Sequence, residues 1–273
     1  MKMYYNVGGN SYWVEIYGDG KPLVMLHGFT GSTNTWHSVK DSLIDNYQVI
    51  LVDLPGHGRT NACVDSIEAC CADLASIFDQ MRLSAIHLLG YSMGGRTAIS
   101  FAILYPQYVE SLLLESTTAG IANEAERENR VREDHKLAAF ILENPLEVFV
   151  DKWEKVPLFE SQRSLPEHVR KKIRQERLSQ TKEGLAHSLQ VMGTGSMPSW
   201  WEYLQQVTCD VCIIVGEEDN KFVQIGKKMN QTLANSELQM VKKSGHAIHV
   251  EQTNIFGTIV NEFISRRRTT DVN

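Results

Sequence analysis

The sequence predicts an α/β protein: a mostly parallel central sheet flanked by helices, interrupted by one long all-helical segment. Three observations carry this reading. Apolar runs of strand length, such as YQVILVD, AIHLLGY and VESLLLES, alternate with amphipathic helical stretches, as strands buried on both faces do. Strand signals then stop at about residue 117 and resume only near residue 208, at CDVCIIVGEED. Several of the runs end in Gly-containing turns, at the strand ends where such sheets bind ligands. A chain of 273 residues, 42% hydrophobic and 22% charged, suits one large domain carrying a sizeable insertion.

Each element has its own signal. YWVEIYG and KPLVMLHG read as successive strands, the second ending at His27-Gly28. NTWHSVKDSLIDN has helical spacing, with Trp36, Val39, Leu43 and Ile44 on one face. YQVILVDLPGHG is a buried strand closing in a Pro-Gly-His-Gly turn. A helix from about Ser66 to Met81, the strand AIHLLGY and a helix from near Gly94 to Tyr105 follow, the last stopped by Pro106. After VESLLLES, four helices are predicted in NEAERENRVREDHKLAAFILEN, LEVFVDKWEKV, LPEHVRKKIRQERLSQ and EGLAHSLQVMG. CDVCIIVGEED and ELQMVKKSGH are strands, and a last helix runs from about Asn254 to Arg267. The division is a core in two parts, residues 1–116 and 208–273, with a helical lid of residues 117–207 between them.

Charge and cysteines narrow the function classes. A net charge of −6 argues against a nucleic-acid partner, so any anionic substrate needs a local cluster of cations. The cysteines Cys63, Cys70, Cys71, Cys209 and Cys212 are odd in number, and the opening MKMYYNVGGN lacks an apolar signal region; both predict a cytoplasmic protein with reduced thiols. CDVC has the spacing of a redox or zinc site, but it has no second pair at ligand distance and leads into an apolar run, so both cysteines read as strand residues. The histidine spacing suggests no metal. With no run of about 18 apolar residues, membrane insertion is not expected. The arginines of RRRTTDVN read as a solvated helix end.

Gly90-Tyr91-Ser92-Met93-Gly94 ends one predicted strand and opens a helix, the context of the nucleophile elbow G-x-S-x-G. A serine hydroxyl is inert at neutral pH without a histidine to take its proton and an acid to orient that histidine. Downstream, in the order Ser, acid, His, come the cluster Glu217-Glu218-Asp219 and then SGHAIHVE. Asp219 closes its turn and is the first choice for the acid, with Glu218 next. His246 follows Gly245 and is preferred as the base over His249, which reads as packed behind it. Two backbone amides form the expected oxyanion hole: Met93, after the nucleophile, and Phe29, in HGFTG. His27 and His57 read as turn-shaping residues. Arg96 lies one helical turn past Ser92, and Arg127, Arg130 and Arg177 lie in the lid, where a planar guanidinium suits a carboxylate and neighbouring glutamates compete for it.

HGFTGS, DLPGHG and GYSMGG, with the late Asp and His, resemble the α/β-hydrolase superfamily across the whole chain. That resemblance implies the α/β-hydrolase fold with its helical lid inserted after the sixth strand. More narrowly, GYSMGGR, EAERENR, DKWEKVPLF, RQERLSQ, GTGSMPSWW and GEEDNKF resemble the 2-succinyl-6-hydroxy-2,4-cyclohexadiene-1-carboxylate synthases of menaquinone biosynthesis, often called MenH. STTAG lacks the proline common before its glycine, and PSWW has Trp200 where leucine is common; both departures concern the lid. The resemblance implies a pyruvate-eliminating lyase acting on a small polycarboxylate, with no cofactor. It implies that Arg96, Arg130 and Arg177 hold carboxylates and that Tyr91 and Trp153 line the pocket. The triad and fold alone fit a serine hydrolase of a small carboxylated ester or C–C bond substrate equally well. A non-catalytic binding protein is disfavoured by the complete triad. The cations discriminate between lyase and esterase.

Overall fold

The computed structural model describes residues 1–266. Its sheet has eight strands: β1 (Lys2–Val7), β2 (Asn10–Tyr17), β3 (Lys21–Leu26), β4 (Tyr47–Val52), β5 (Ile86–Tyr91), β6 (Val109–Glu115), β7 (Asp210–Gly216) and β8 (Ser236–Val241). Their spatial order is β1-β2-β4-β3-β5-β6-β7-β8. β1 and β2 form an antiparallel hairpin, β2 meets β4 antiparallel, and every later pair is parallel. The hairpin's first strand has no counterpart in the apolar pattern. Once it is counted, β6 is the sixth strand in chain order.

The core helices are α1 (His37–Lys40), α2 (Ile67–Gln80), α3 (Met93–Leu104), α8 (Asn220–Thr232), α9 (Ile248–Glu251) and α10 (Thr253–Ser265). Between β6 and β7 lie α4 (Glu124–Glu143), α5 (Leu146–Trp153), α6 (Glu167–Leu178) and α7 (Lys182–Met192), with 3-10 helices at Pro157–Ser164 and Trp201–Gln206. Capping explains several boundaries. The Ser66 hydroxyl accepts the Ala69 N–H at the start of α2, and Asn123 and Thr181 do the same for α4 and α7. The helix expected over NTWHSVKDSLIDN is shorter than its apolar spacing suggests. A 3-10 turn at Thr33–Trp36 and the four residues of α1 are all that is helical, because the backbone then turns tightly under Gly18 to enter β4. The last helix ends at Ser265; Arg266 pairs with Glu237 at 3.1 Å, and the rest of the expected solvated arginine tail lies outside the described residues.

Apolar side chains form three clusters. One face of the sheet packs on α2 and α3 through Leu74, Phe78, Ile99 and Phe101. The other packs on Trp36, Phe256, Val260 and Ile264. The third lies within the insertion, where Ala138, Ile141, Phe149, Val150, Leu185 and Leu189 join α4, α5 and α7. Removing one such large side chain typically costs about 2–5 kcal/mol. The all-helical insertion therefore has its own apolar seam and sits as a cap over the strand ends. Cys212 is a buried residue of β7, whereas Cys209 precedes the strand by one residue.

Candidate active site

Ser92 sits between β5 and α3 with φ +50°, a left-handed conformation that a non-glycine residue adopts at a cost of roughly 1–3 kcal/mol. Its amide donates to the Glu115 carbonyl of β6 at 2.9 Å, anchoring the turn. The flanking glycines are forced by contact: a Cβ on Gly94 would lie 2.1 Å from the Leu26 carbonyl oxygen, and one on Gly90 would lie 2.3 Å from that of Gly94. Strand and helix thus approach closely enough to raise the serine at the apex.

His246 lies in the loop after β8, with Nε2 3.1 Å from Ser92 Oγ and Nδ1 2.7 Å from Asp219 Oδ2. The imidazole is 1% exposed, and rings of Phe222, Tyr91 and Phe159 surround it. With the proton on Nδ1 held by the carboxylate, Nε2 is left to accept the serine proton. Asp219 is also the N-cap of α8, its Oδ1 accepting the Phe222 amide at 3.3 Å. This cap separates it from Glu217 and Glu218, which face water. His249 is engaged elsewhere, with Nδ1 2.9 Å from the buried Glu115 carboxylate and its ring edge-on to Tyr91.

Met93 is the first residue of α3, so its amide has no acceptor within the helix. The Phe29 loop is held by two buried histidines. His27 accepts the Leu54 amide on Nε2 at 2.9 Å, and His57 accepts the Thr30 amide on Nε2 at 3.2 Å. Burial drives both rings far below the usual imidazole range, His27 to about 4 and His57 to about 3, so both are neutral acceptors. Thr30 at φ +69° and the absence of a Cβ at Gly28, which would meet the Tyr91 ring at 2.6 Å, complete this turn.

Ser92 opens onto a cavity of about 560 Å³ between the strand ends and the insertion. Phe29, Tyr91, Met93, Arg96, Arg130 and Trp153 all line it, together with His246. Arg96 donates to the Met192 carbonyl at 3.1 Å, but its Nε is buried without a partner. Burial and then the neighbouring Arg130 bring it down to about 10, still charged at neutral pH. Among the described residues, no carboxylate lies within ion-pair distance of it. Arg130 is held by Asp134 at 2.8 Å. Trp153 packs edge-on against Phe29 with its indole N–H buried and unpartnered.

The expected set is not all in one place. Arg177 lines a second cavity of about 540 Å³, which shares Phe29, Tyr91 and Phe159 with the first. There it is buried, donates to Gln162 at 3.2 Å, approaches Glu154 at 3.6 Å and stacks on Phe159. Arg127 lines neither cavity. Sequence reasoning missed Lys221, on the rim of the first cavity two residues past Asp219, and Phe159, the wall between the two. Lys221 was legible in GEEDNKF as a cation on the first turn of α8. Phe159 had no periodic signal because it lies in a kinked 3-10 segment.

Residues 21–253 match the model of the alpha/beta hydrolase fold family. A relative from Bacillus subtilis (strain 168), provisionally named a 2-succinyl-6-hydroxy-2,4-cyclohexadiene-1-carboxylate synthase, is 46% identical over 89% of this chain and 90% of its own. The synthase of that name from Photorhabdus laumondii is 31% identical over 91% of this chain and 87% of its own. Among solved structures, MenH from S. aureus superposes with a TM-score of 0.91 at 38% identity, covering 93% of this chain and 98% of that one. The chain therefore belongs to the α/β-hydrolase fold family and, within it, to the 2-succinyl-6-hydroxy-2,4-cyclohexadiene-1-carboxylate synthases.

Proposed function

We propose that this chain eliminates pyruvate from 2-succinyl-5-enolpyruvyl-6-hydroxy-3-cyclohexene-1-carboxylate in menaquinone biosynthesis, with Ser92 as the general base. The observation that carries the reading is Arg96, a charged guanidinium with no carboxylate partner among the described residues, in the same cavity as Ser92. A neutral ester has no use for it; a polycarboxylate does.

The chemistry follows from the substrate's bonds. Ring C2 carries a proton adjacent to the succinyl ketone, C3 and C4 are doubly bonded, and C5 bears the enolpyruvyl oxygen. Ser92, its own proton drawn to His246 Nε2, takes the C2 proton. The electron pair is delocalised onto the ketone oxygen, which the Phe29 and Met93 amides receive. Its return makes C2=C3, shifts the ring double bond to C4=C5 and breaks the C5–O bond. The departing enolpyruvate gains a proton on ketonising to pyruvate. Asp219 keeps the imidazole oriented and stabilises its charged form. Arg96 and Arg130 hold carboxylates in the first cavity and Arg177 reaches the substrate from the second, with Tyr91 and Trp153 as walls. No cofactor enters the reaction. A reducing, cytoplasmic site of action fits five cysteines that form no disulfide among the described residues.

The assembled triad favours a second reading, hydrolysis of a small carboxylated ester. Both are tested together by supplying the enolpyruvyl substrate, following pyruvate and the conjugated-diene absorbance, and running simple esters in parallel. Pyruvate and diene should appear in equal amounts and outpace ester cleavage; rapid ester turnover without pyruvate overturns the lyase reading.

A further inference from the structure

The second cavity lies between α6 and the loop from Gly28 to Trp36 that carries Phe29. One side chain bridges it. Glu176 Oε1 accepts hydrogen bonds from both Ser32 Oγ and Thr35 Oγ1, each at 2.8 Å. These hydroxyls also organise the loop: Ser32 Oγ accepts the Asn34 amide at 3.1 Å, and Thr35 Oγ1 accepts the Ser32 amide at 3.3 Å. Each therefore spends its proton on Glu176 and its lone pair on the loop, and losing the carboxylate frees both rotors. Burial raises the Glu176 carboxyl above its usual range, opposed by the two hydroxyl donors and by the nearby His249. The next residue on the same helix is Arg177. A second tie lies one turn on, where Gln180 Oε1 accepts the Gly58 amide at 2.9 Å and its Nε2 donates to the Glu176 carbonyl at 3.1 Å.

We propose that Glu176 is a positioning residue that couples the lid's Arg177 to the Phe29 amide, so that binding of a substrate carboxylate and alignment of the oxyanion loop occur together. The proposal rests on the lyase reading and adds to it a residue that does not touch the substrate. Its geometry predicts a distinctive pattern. A glutamine carbonyl oxygen at position 176 still accepts both hydroxyls; an alanine leaves the loop and α6 to move independently. Misplacing an oxyanion donor by a fraction of an ångström acts on kcat, and loosening Arg177 acts on KM.

The test is steady-state pyruvate release by the full chain, wild type against Glu176→Ala, Glu176→Gln and the loop-side double variant Ser32→Ala/Thr35→Val. Glu176→Ala should lower kcat about tenfold and raise KM, with Glu176→Gln within about twofold of wild type, since outright removal of one oxyanion donor costs about 100- to 1,000-fold and here the donor is displaced, not lost. The loop-side pair should reproduce the kcat loss, and adding Glu176→Ala to it should cost little more. A residue that only stabilises the fold would lower the melting temperature and leave kcat and KM alone at temperatures well below it. Unchanged kcat in Glu176→Ala overturns the proposal. If that variant fails to fold, unchanged kcat in the loop-side pair overturns it equally. Absence of pyruvate release by the wild type removes the lyase reading and this inference together.

Discussion

In the proposed reaction, Ser92 and Arg96 divide the work. The serine's strained φ, its 3.1 Å contact with His246 and the 2.7 Å contact of His246 with Asp219 make a base, or a nucleophile, from a side chain inert on its own. Ser92→Ala should reduce pyruvate release by about 10³-fold, within the usual span for a general base, measured as kcat on folded protein. Residual activity near wild type would remove Ser92 from the mechanism. Arg96 is poised differently. Its buried, unpartnered Nε and its depressed affinity for a proton mean that it is held at a cost to the fold. Arg96→Met should therefore melt no lower than wild type, and a clear fall in melting temperature would show that the hydrogen bond from the guanidinium to the Met192 carbonyl outweighs that cost. The triad was legible because the chain order Ser, acid, His attaches to three strand ends. Of Glu217, Glu218 and Asp219, only Asp219 closes the turn, caps α8 and reaches His246.

At the scale of elements, the parallel strands and the lid helices were legible through apolar runs and 3.6-residue periodicity, because burial on two faces or one stripe writes itself into the sequence. Two elements were not. β1 is an edge strand whose residues Lys2 to Tyr4 are exposed, so it carries no alternation and owes its place to the hairpin with β2. The stretch from Thr33 onward has helical apolar spacing but is bent by tertiary contacts into a 3-10 turn and the short α1. The separation of Arg177 from Arg96 and Arg130 was equally hidden, since it depends on Phe159 standing between two cavities. How the lid seats on the core is visible at one contact. A Cβ on Gly184 of α7 would lie 2.4 Å from the carbonyl oxygen of Gly56, in the core turn after β4. Helix propensity favours alanine there by about 1 kcal/mol, but the obstacle is backbone and cannot swing away. Gly184→Ala should be destabilising by about 1–3 kcal/mol, read from denaturant midpoints, as overpacked sites are. A gain in stability would mean that the lid yields freely at this seam.

For the whole molecule, acid sensitivity follows from the two histidines that hold the Phe29 loop. His27 and His57 are neutral in the fold down to about pH 4 and about pH 3, whereas in the unfolded chain they protonate near 6.5. Between those limits the unfolded state binds more protons, so stability is full above about pH 6.5 and falls as pH drops through the window. Each ring contributes a slope of up to about 1.4 kcal/mol per pH unit there. Urea midpoints between pH 7.5 and 4.5 should show the fall, and His57→Gln should make it shallower by one ring's share, leaving that of His27; a flat wild-type profile would contradict the neutral-acceptor assignment. The same frame sets function. A protein of net charge −6 gathers cations above one serine, and in the proposed reaction those cations select elimination. The most direct test is kcat/KM for pyruvate release by Arg96→Met beside wild type, with cleavage of a small neutral ester by both as the control. Losing a buried charge-assisted contact of about 1.5–3 kcal/mol predicts a fall of roughly 10- to 100-fold in pyruvate release with ester cleavage unchanged. Equal losses on both substrates, or none on either, would contradict it.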